Sequence, residues 1–314
     1  MKYLLLLVLT LPAFAHGPRD WREDYEAYLA VEVEAPLFRK MKMNTPKRVD
    51  MEFFREKLAS FASINRSSNE DLDKARAMLS AEYKKLGFEV SLHPFGSGTN
   101  FVAEKKGIKS PEKVLILSSH IDSVGNKGAN DNGTGTIGVL AVAKELAKKD
   151  HDFTIRVLGF DREERGLLGS DAYVAAIQDK ANIIGDINFE MMGHHKKNDG
   201  AFHLIDCDKP FIWNVQRKES EFLSAEVKNS IDNLGLDLHV VKTCTNRSDH
   251  ASFWRHKIPA IVISENFFGG DADPCYHARC DVVDERLNYV YMGKILEAVL
   301  DASANLLNSN KLQR

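Results

Sequence analysis

Apolar residues recur at helical spacing from Met51 to Ala62, where Phe53, Phe54, Leu58 and Phe61 share one face. They do so again from Leu72 to Leu86, behind the capping-type run Ser67, Ser68 and Asn69, and Gly87 ends that second helix. The period then shortens. Phe88 to Leu92 and Asn100 to Ala103 are short and strand-like, and Val114 to Ser118 is an unbroken aliphatic run of the kind buried on both faces of a sheet. Further helices are predicted at Gly133 to Lys149, Leu167 to Ala176, Lys218 to Leu234 and Leu287 to Leu307. Strands are predicted at Thr154 to Gly159, Ile183 to Phe189, His203 to Ile205 and Ala260 to Ser264. This alternation argues for an α/β protein, a single globular domain whose mostly parallel sheet is flanked by helices. In such a sheet the ligand crevice lies at the carboxyl ends of the strands.

The amino terminus breaks the pattern. Met1 and Lys2, an apolar run from Tyr3 to Pro12 and then Ala13-Phe14-Ala15 have the three regions of a secretory signal peptide, with cleavage after Ala15. The run is too short to span a bilayer, which takes roughly 20 apolar residues, so no stable membrane span is expected once the signal is removed. The domain division is therefore 1–15 signal, 16–49 a charged N-terminal extension of irregular period, and 50–314 the globular domain. The expected location is secreted or periplasmic.

At 314 residues with 44% hydrophobic and 28% charged positions, the chain can bury a large core. Loss of Lys2 leaves 41 basic residues against 45 acidic, a formal charge of −4 for residues 16–314, and no basic stripe appears. Nucleic acid is not an expected partner. The four cysteines, Cys207, Cys244, Cys275 and Cys280, all follow the signal and suit an oxidising compartment. Three pairings are open to them. Cys275 with Cys280 is favoured because that short loop would brace the segment carrying His277, which leaves Cys207 with Cys244.

Five side chains of metal-ligand type stand at predicted strand edges: His120, Asp131, Glu164, Glu190 and His277. Two imidazoles and three carboxylates suffice for two zinc ions that share one carboxylate. In His120-Ile121-Asp122 the acid is placed to accept the second ring N–H of the histidine. In Asp131-Asn132-Gly133-Thr134-Gly135, glycines at a loop-to-helix junction let the backbone close round an ion. Asn132-Gly133-Thr134 also fits a glycosylation acceptor. Glu163 and Glu164 follow a strand, where adjacent carboxylates repel unless a cation shares them, so one can bind metal while the other faces its water. Glu190 is a lone acid ending an apolar strand, a position that calls for a partner or a metal. Asp281 is a candidate to orient His277, and Tyr276 to donate to a developing oxyanion. Ser248-Asp249-His250 is not a serine triad, since three sequence neighbours cannot converge in those roles and no G-x-S-x-G elbow occurs. His250 is expected to pack or support, with Asp249 as its partner.

Together these residues resemble the M28 family of zinc peptidases, of the aminopeptidase Y or leucyl aminopeptidase type. The likeness runs from about Met51 to the last helix. It is carried by His120-x-Asp122, Asp131-Asn132-Gly133-x-Gly135, Glu163-Glu164-x-Gly166-Leu167-x-Gly169-Ser170, Ser248-Asp249-His250-x-x-Phe253 with Ile258-Pro259-Ala260, and Tyr276-His277. The resemblance implies a mixed, mostly parallel, roughly eight-stranded sheet and two zinc ions bridged by Asp131. One ion is completed by His120 and Glu190, the other by Glu164 and His277, with Glu163 as general base. It departs at Glu190, where such families usually carry aspartate, and the extra methylene puts two-ion occupancy in question.

The expected activity is removal of amino-terminal hydrophobic residues from a peptide substrate by a zinc-activated water, with Met191, Met192, Phe267 and Phe268 as pocket walls. Two alternatives remain: a single-zinc glutaminyl cyclase, which has a similar fold, and a non-catalytic binding ectodomain of peptidase descent. Residue preference and oligomeric state are not legible.

Overall fold

A computed structural model describes residues 48–207 and 217–309. The expected signal, 1–15, and nearly all of the expected extension lie outside the described residues. Its last two residues belong to the folded body. Val49 is buried in the core, and its N–H donates to Glu297 Oε1 at 2.7 Å.

The predicted helices and strands form where apolar spacing places them. Helix α1 (Met51–Phe61) is capped by Asp50, which accepts from Phe53 N, and buries Phe54, Leu58 and Phe61. Each such side chain contributes roughly 1.5–3 kcal/mol on full burial. Helix α2 (Asn69–Lys85) starts on the Ser68 cap. Strands β1 (Glu89–Phe95) and β2 (Gly98–Lys105) form a hairpin, longer than the two runs foreseen because its turn at 96–97 keeps their ends in register.

Then come β3 (Ser110–His120), α3 (Gly135–Leu146), β4 (Phe153–Phe160), α4 (Leu168–Ala176), β5 (Ile183–Glu190) and β6 (Ala201–Ile205). The chain closes with α5 (Arg217–Leu234), β7 (His239–Val241), α6 (His250–Arg255), β8 (Ala260–Glu265) and α7 (Tyr289–Leu306). Two of these elements, β7 and α6, are too short to show a period and were not foreseen. The helix expected from Gly133 begins at Gly135, and Glu163–Arg165 forms a single 3₁₀ turn ahead of α4. No helix among the described residues is long and apolar enough to cross a membrane.

The eight strands make one sheet in the order β1-β2-β4-β3-β5-β8-β6-β7. Its centre, β4-β3-β5-β8, is parallel, while the β1-β2, β2-β4 and β6-β8 pairings are antiparallel. Alternation along β3 sends Leu115 and Leu117 to one face and Val114 and Ile116 to the other. The first face is the thicker, covered by α1, α2, α3, α5 and α7. The second carries α4 and α6, with Val174, Phe253 and Trp254 in its core. From β3 the chain crosses to β4 on one side and later to β5 on the other, so the strand order reverses about β3. Connections diverge there and leave a crevice above the carboxyl ends of the strands.

Candidate metal centre

All five expected ligands meet in that crevice. His120 is the last residue of β3 and Glu190 the last of β5, Glu163 and Glu164 follow β4, and Tyr276 and His277 lie in the long loop after β8. His120 Nε2 lies 3.3 Å from Asp131 Oδ1 and 3.5 Å from Glu190 Oε1. His277 Nε2 lies 3.1 Å from both Asp131 Oδ2 and Glu164 Oε2. Three donor sets result. Two share Asp131, His120/Asp131/Glu190 and Asp131/Glu164/His277, and the third is His120/Glu163/Glu164. Asp131 offers one oxygen to each of the first two.

Zinc with nitrogen and oxygen ligands at about 2.0–2.1 Å in a tetrahedron separates its ligand atoms by about 3.4 Å. The donor separations match that edge length. Glu164 Oε1 is buried without any protein partner. The residues therefore fit zinc.

The electrostatics point the same way. Burial pushes the Glu164 carboxyl up to about 7, and the neighbouring Asp131 charge adds to the rise. Burial also pushes Glu163 well above the usual carboxylate range, although the His120 charge opposes it. His277 is lifted to about 10, because its bonds to Asp131 and Glu164 outweigh the effect of burial. Such a cluster lacks positive charge.

The backbone at the crevice is unusual. Arg162, Leu167, Met191 and His277 all have φ between 35° and 65°, and each stands beside or at a candidate ligand or Glu163–Glu164. The disulfide Cys275–Cys280 spans the His277 turn, and Cys207 is joined to Cys244. The first is the pair expected to brace the segment carrying His277, and the second is the pair that this leaves. Asp131 and Asn132 lie in a wide turn at 129–134. Asn132 is fully buried, donates to Phe189 O and accepts from Gly135 N and Met191 N, so it ties the start of α3 to the end of β5 and is no glycan acceptor. A Cβ on Gly135 would stand 2.1 Å from Asn132 Oδ1 and 2.6 Å from Phe189 O, which is why that position needs glycine.

Asp122 serves two neighbours. Its Oδ1 is 3.4 Å from His120 Nδ1, a charge contact rather than a formed hydrogen bond, and its carboxylate accepts from Glu163 N and Glu164 N at 3.2 and 3.3 Å. Asp281 corrects an expectation. It accepts from Asn130 N and Asp131 N at 2.7 and 3.0 Å, and so supports the turn bearing Asp131 rather than the His277 ring.

Ser248 donates toward Glu190 Oε2 and Asn188 Oδ1, while the His250 ring bonds to Thr245 O. No serine triad forms, as expected, but the expected pairing of Asp249 with His250 does not form either: both Asp249 oxygens and His250 Nδ1 are buried without a hydrogen bond. Arg66 had no signal in the sequence. It is fully buried and donates to the carbonyls of Ile121, Lys127 and Gly128, pinning the loop that leads to Asp131. Asn188 was recoverable, since in a strand it shares a face with Glu190 two residues on.

Beside the ligands the crevice is walled by Met191, Phe267, Phe268 and Tyr276, with Ile205 and Val262 also lining it. The Tyr276 ring stacks on His277, centroids 3.8 Å apart, and meets Phe267 edge-on. Burial raises the phenol well above its ordinary value, so it stays protonated. Met192 does not line the crevice. It is fully buried in the core, where a Cβ at Gly138 would stand 2.6 Å from its Cε.

The model of Peptidase family M28 matches residues 100–303. Leupeptin-inactivating enzyme 1 of Streptomyces exfoliatus is 31% identical over 268 residues, 76% of this chain and 58% of that protein. The chain spans roughly two-fifths to three-fifths of the length of the curated relatives it matches. Among solved structures, the LapA aminopeptidase of Legionella pneumophila superposes with a TM-score of 0.72 at 20% identity, covering 98% of this chain and 80% of that one. A glutaminyl cyclase of Bacteroides thetaiotaomicron superposes with a TM-score of 0.67 at 16% identity, covering 83% of this chain and 99% of that one.

Proposed function

Because the chain belongs to peptidase family M28, we propose that it is an exported zinc aminopeptidase that removes hydrophobic residues from the amino ends of peptides. The observation that carries this reading is the sharing of Asp131 between two donor sets, with His120 and Glu190 on one side and Glu164 and His277 on the other. Zinc bound there supplies Lewis acidity and a water of lowered pKa.

The chain's own residues do the rest. Glu163 faces the crevice beside His120 and Glu164 but is in neither of the two donor sets that share Asp131. With those two sets holding the ions, its carboxylate takes a proton from the attacking water and returns it to the leaving amine. Its backbone is fixed through Asp122, which keeps the carboxylate in place for both transfers. The protonated Tyr276 donates to the scissile carbonyl oxygen as charge develops on it. Met191, Phe267 and Phe268 exclude water and accept the apolar side chain of the first residue.

The test is release of amino-acid nitroanilides against cyclisation of a glutaminyl peptide, each with and without chelator. Chelator-sensitive release, greatest for leucine, methionine or phenylalanine, is the expected result. Cyclisation alone would move the protein to the other activity seen on this fold. Zinc binding with neither activity would make it a binding module.

A further inference from the structure

Strand alternation puts Asp186, Asn188 and Glu190 in one row under the crevice, and the register sets Ser118 of β3 beside Asn188. Asp186, Asn188 and Ser118 are fully buried, and Ser248 nearly so. Hydrogen bonds link the row. With its nitrogen toward Ser118, Asn188 donates to Ser118 Oγ at 3.0 Å and accepts from Ser248 Oγ at 3.0 Å, while Ser248 Oγ also lies 2.7 Å from Glu190 Oε2.

That arrangement asks one hydroxyl proton to serve two acceptors. If the Ser248 proton goes to Asn188, a lone pair faces the Glu190 carboxylate at 2.7 Å, which an ionised ligand does not tolerate. The two ends of an amide have the same outline, and the network decides which way it lies. Turned over, Asn188 donates to Ser248, which frees the Ser248 proton for Glu190. The Ser118 proton then goes to the Asn188 oxygen. Ser118 is left as an acceptor, and Asp186, two residues before Asn188 on the same face, is the buried acid near enough for the Ser118 hydroxyl to act on its carboxyl, although the two form no hydrogen bond as they stand.

Neither Asp186 oxygen has a formed hydrogen bond to another protein group. We propose that Asp186 holds a proton which, relayed in direction through Ser118 and the turned Asn188 amide, aims the Ser248 hydroxyl at Glu190 and so sets how firmly Glu190 grips its cation. Burial favours the protonated acid. It pushes the Asp186 carboxyl well above the usual range, Ser118 pulls it partly back, and the nearby Asp249 charge adds to the rise. Glutamate has one more rotatable bond than aspartate, and a hydrogen bond to its second oxygen removes that freedom. Asp186, Ser118 and Asn188 are positioning residues here, since none touches substrate or ion.

The inference rests on Glu190 being a zinc ligand. The experiment measures zinc stoichiometry and affinity by chelator competition in the full chain, with circular dichroism to verify folding. Asp186→Asn keeps a donor facing Ser118 and is expected to bind two ions within about threefold of wild-type affinity. Ser118→Ala breaks the relay and is expected to weaken one ion by about 10–100-fold, the range for partners that orient a metal ligand, and to leave the other unchanged. Infrared difference spectra of wild type against Asp186→Asn should show the carbonyl stretch of a protonated carboxyl. Loss of an ion in Asp186→Asn, an unweakened Ser118→Ala, or absence of that band overturns the inference alone. If Glu190→Ala still holds both ions with wild-type affinity, the ligand reading fails, and the inference with it.

Discussion

Two groups of acidic side chains meet at the Asn130–Asp131 peptide, and they solve the same electrostatic problem in opposite ways. On one side, Glu265 and Asp273 both accept from Asn130 Nδ2, at 3.0 and 2.9 Å, and Glu265 also accepts from His194 N. Asp273 is further paired with Arg286 at 2.9 Å, and Asp271 lies against His194 and His195. Burial pushes Glu265 well above the usual carboxylate range, so it stays protonated. On the other side Asp131, Glu163, Glu164 and Glu190 face the crevice with two imidazoles as their nearest cations. Arg66, beneath them, spends its donors on backbone carbonyls, and burial lowers it to about 10 against the pull of Asp281, Asp122, Asp131 and Glu164. Acidic density alone therefore does not mark a metal centre. Carboxylate and imidazole donor atoms that converge within 4.8 Å of one another do.

The contrast can be broken or sharpened by experiment. The largest expected effect is on turnover, where Glu163→Gln should lower kcat/KM on a leucine nitroanilide by about 10²–10⁴-fold while metal analysis still finds zinc. Near-normal turnover would remove Glu163 as the base.

Chelation should act on the open cluster alone. Removing an ion present at 100 times its dissociation constant withdraws about 2.7 kcal/mol of stability for each site emptied, lowering the melting temperature by about 5 °C per site, and zinc but not magnesium should restore it. A melting curve indifferent to chelator would mean that the cluster is as self-sufficient as its neighbour.

Asp273→Ala strikes the closed cluster instead. It removes one acceptor from each of Arg286, Asn130 and Cys275 N and should cost about 1–3 kcal/mol in urea denaturation, with zinc affinity changed by less than about threefold. A large loss of zinc would show that the two clusters are one unit.

The smallest effect is in acid. His203 and His250 are buried neutral, and burial lowers both to about 4. Between that value and the ordinary imidazole range the unfolded chain takes up protons that the folded chain refuses. Their contribution to stability is therefore complete above the unfolded value and is lost as pH falls through the window. His203→Gln should be less destabilised than wild type between pH 7 and pH 5, by about 1 kcal/mol. An identical loss in both proteins would show that His203 takes up its proton when folded.

Periodicity was enough to lay out the strands and helices that carry the site, because burial demands a repeat of two or of 3.6 residues. His120 and Glu190 could be read as strand ends, and Asp131 as a turn, from their immediate neighbours. Local chemistry misled where only contacts decide. Met192 looked as suitable for a pocket wall as Met191, and Asp281 looked like a partner of His277 four residues away. Arg66 carries no pattern at all, since its partners are carbonyls about 60 residues distant.

What the sequence determined by itself is the inventory: which residue types are present, the order of elements that brings them to strand ends, and a surplus of acid over base among them. Tertiary structure decided which of those acids are answered by the protein and which are not. Hydrogen bonds and ion pairs between residues far apart on the chain depend on distances of a few ångströms, and no spacing along the polymer fixes those.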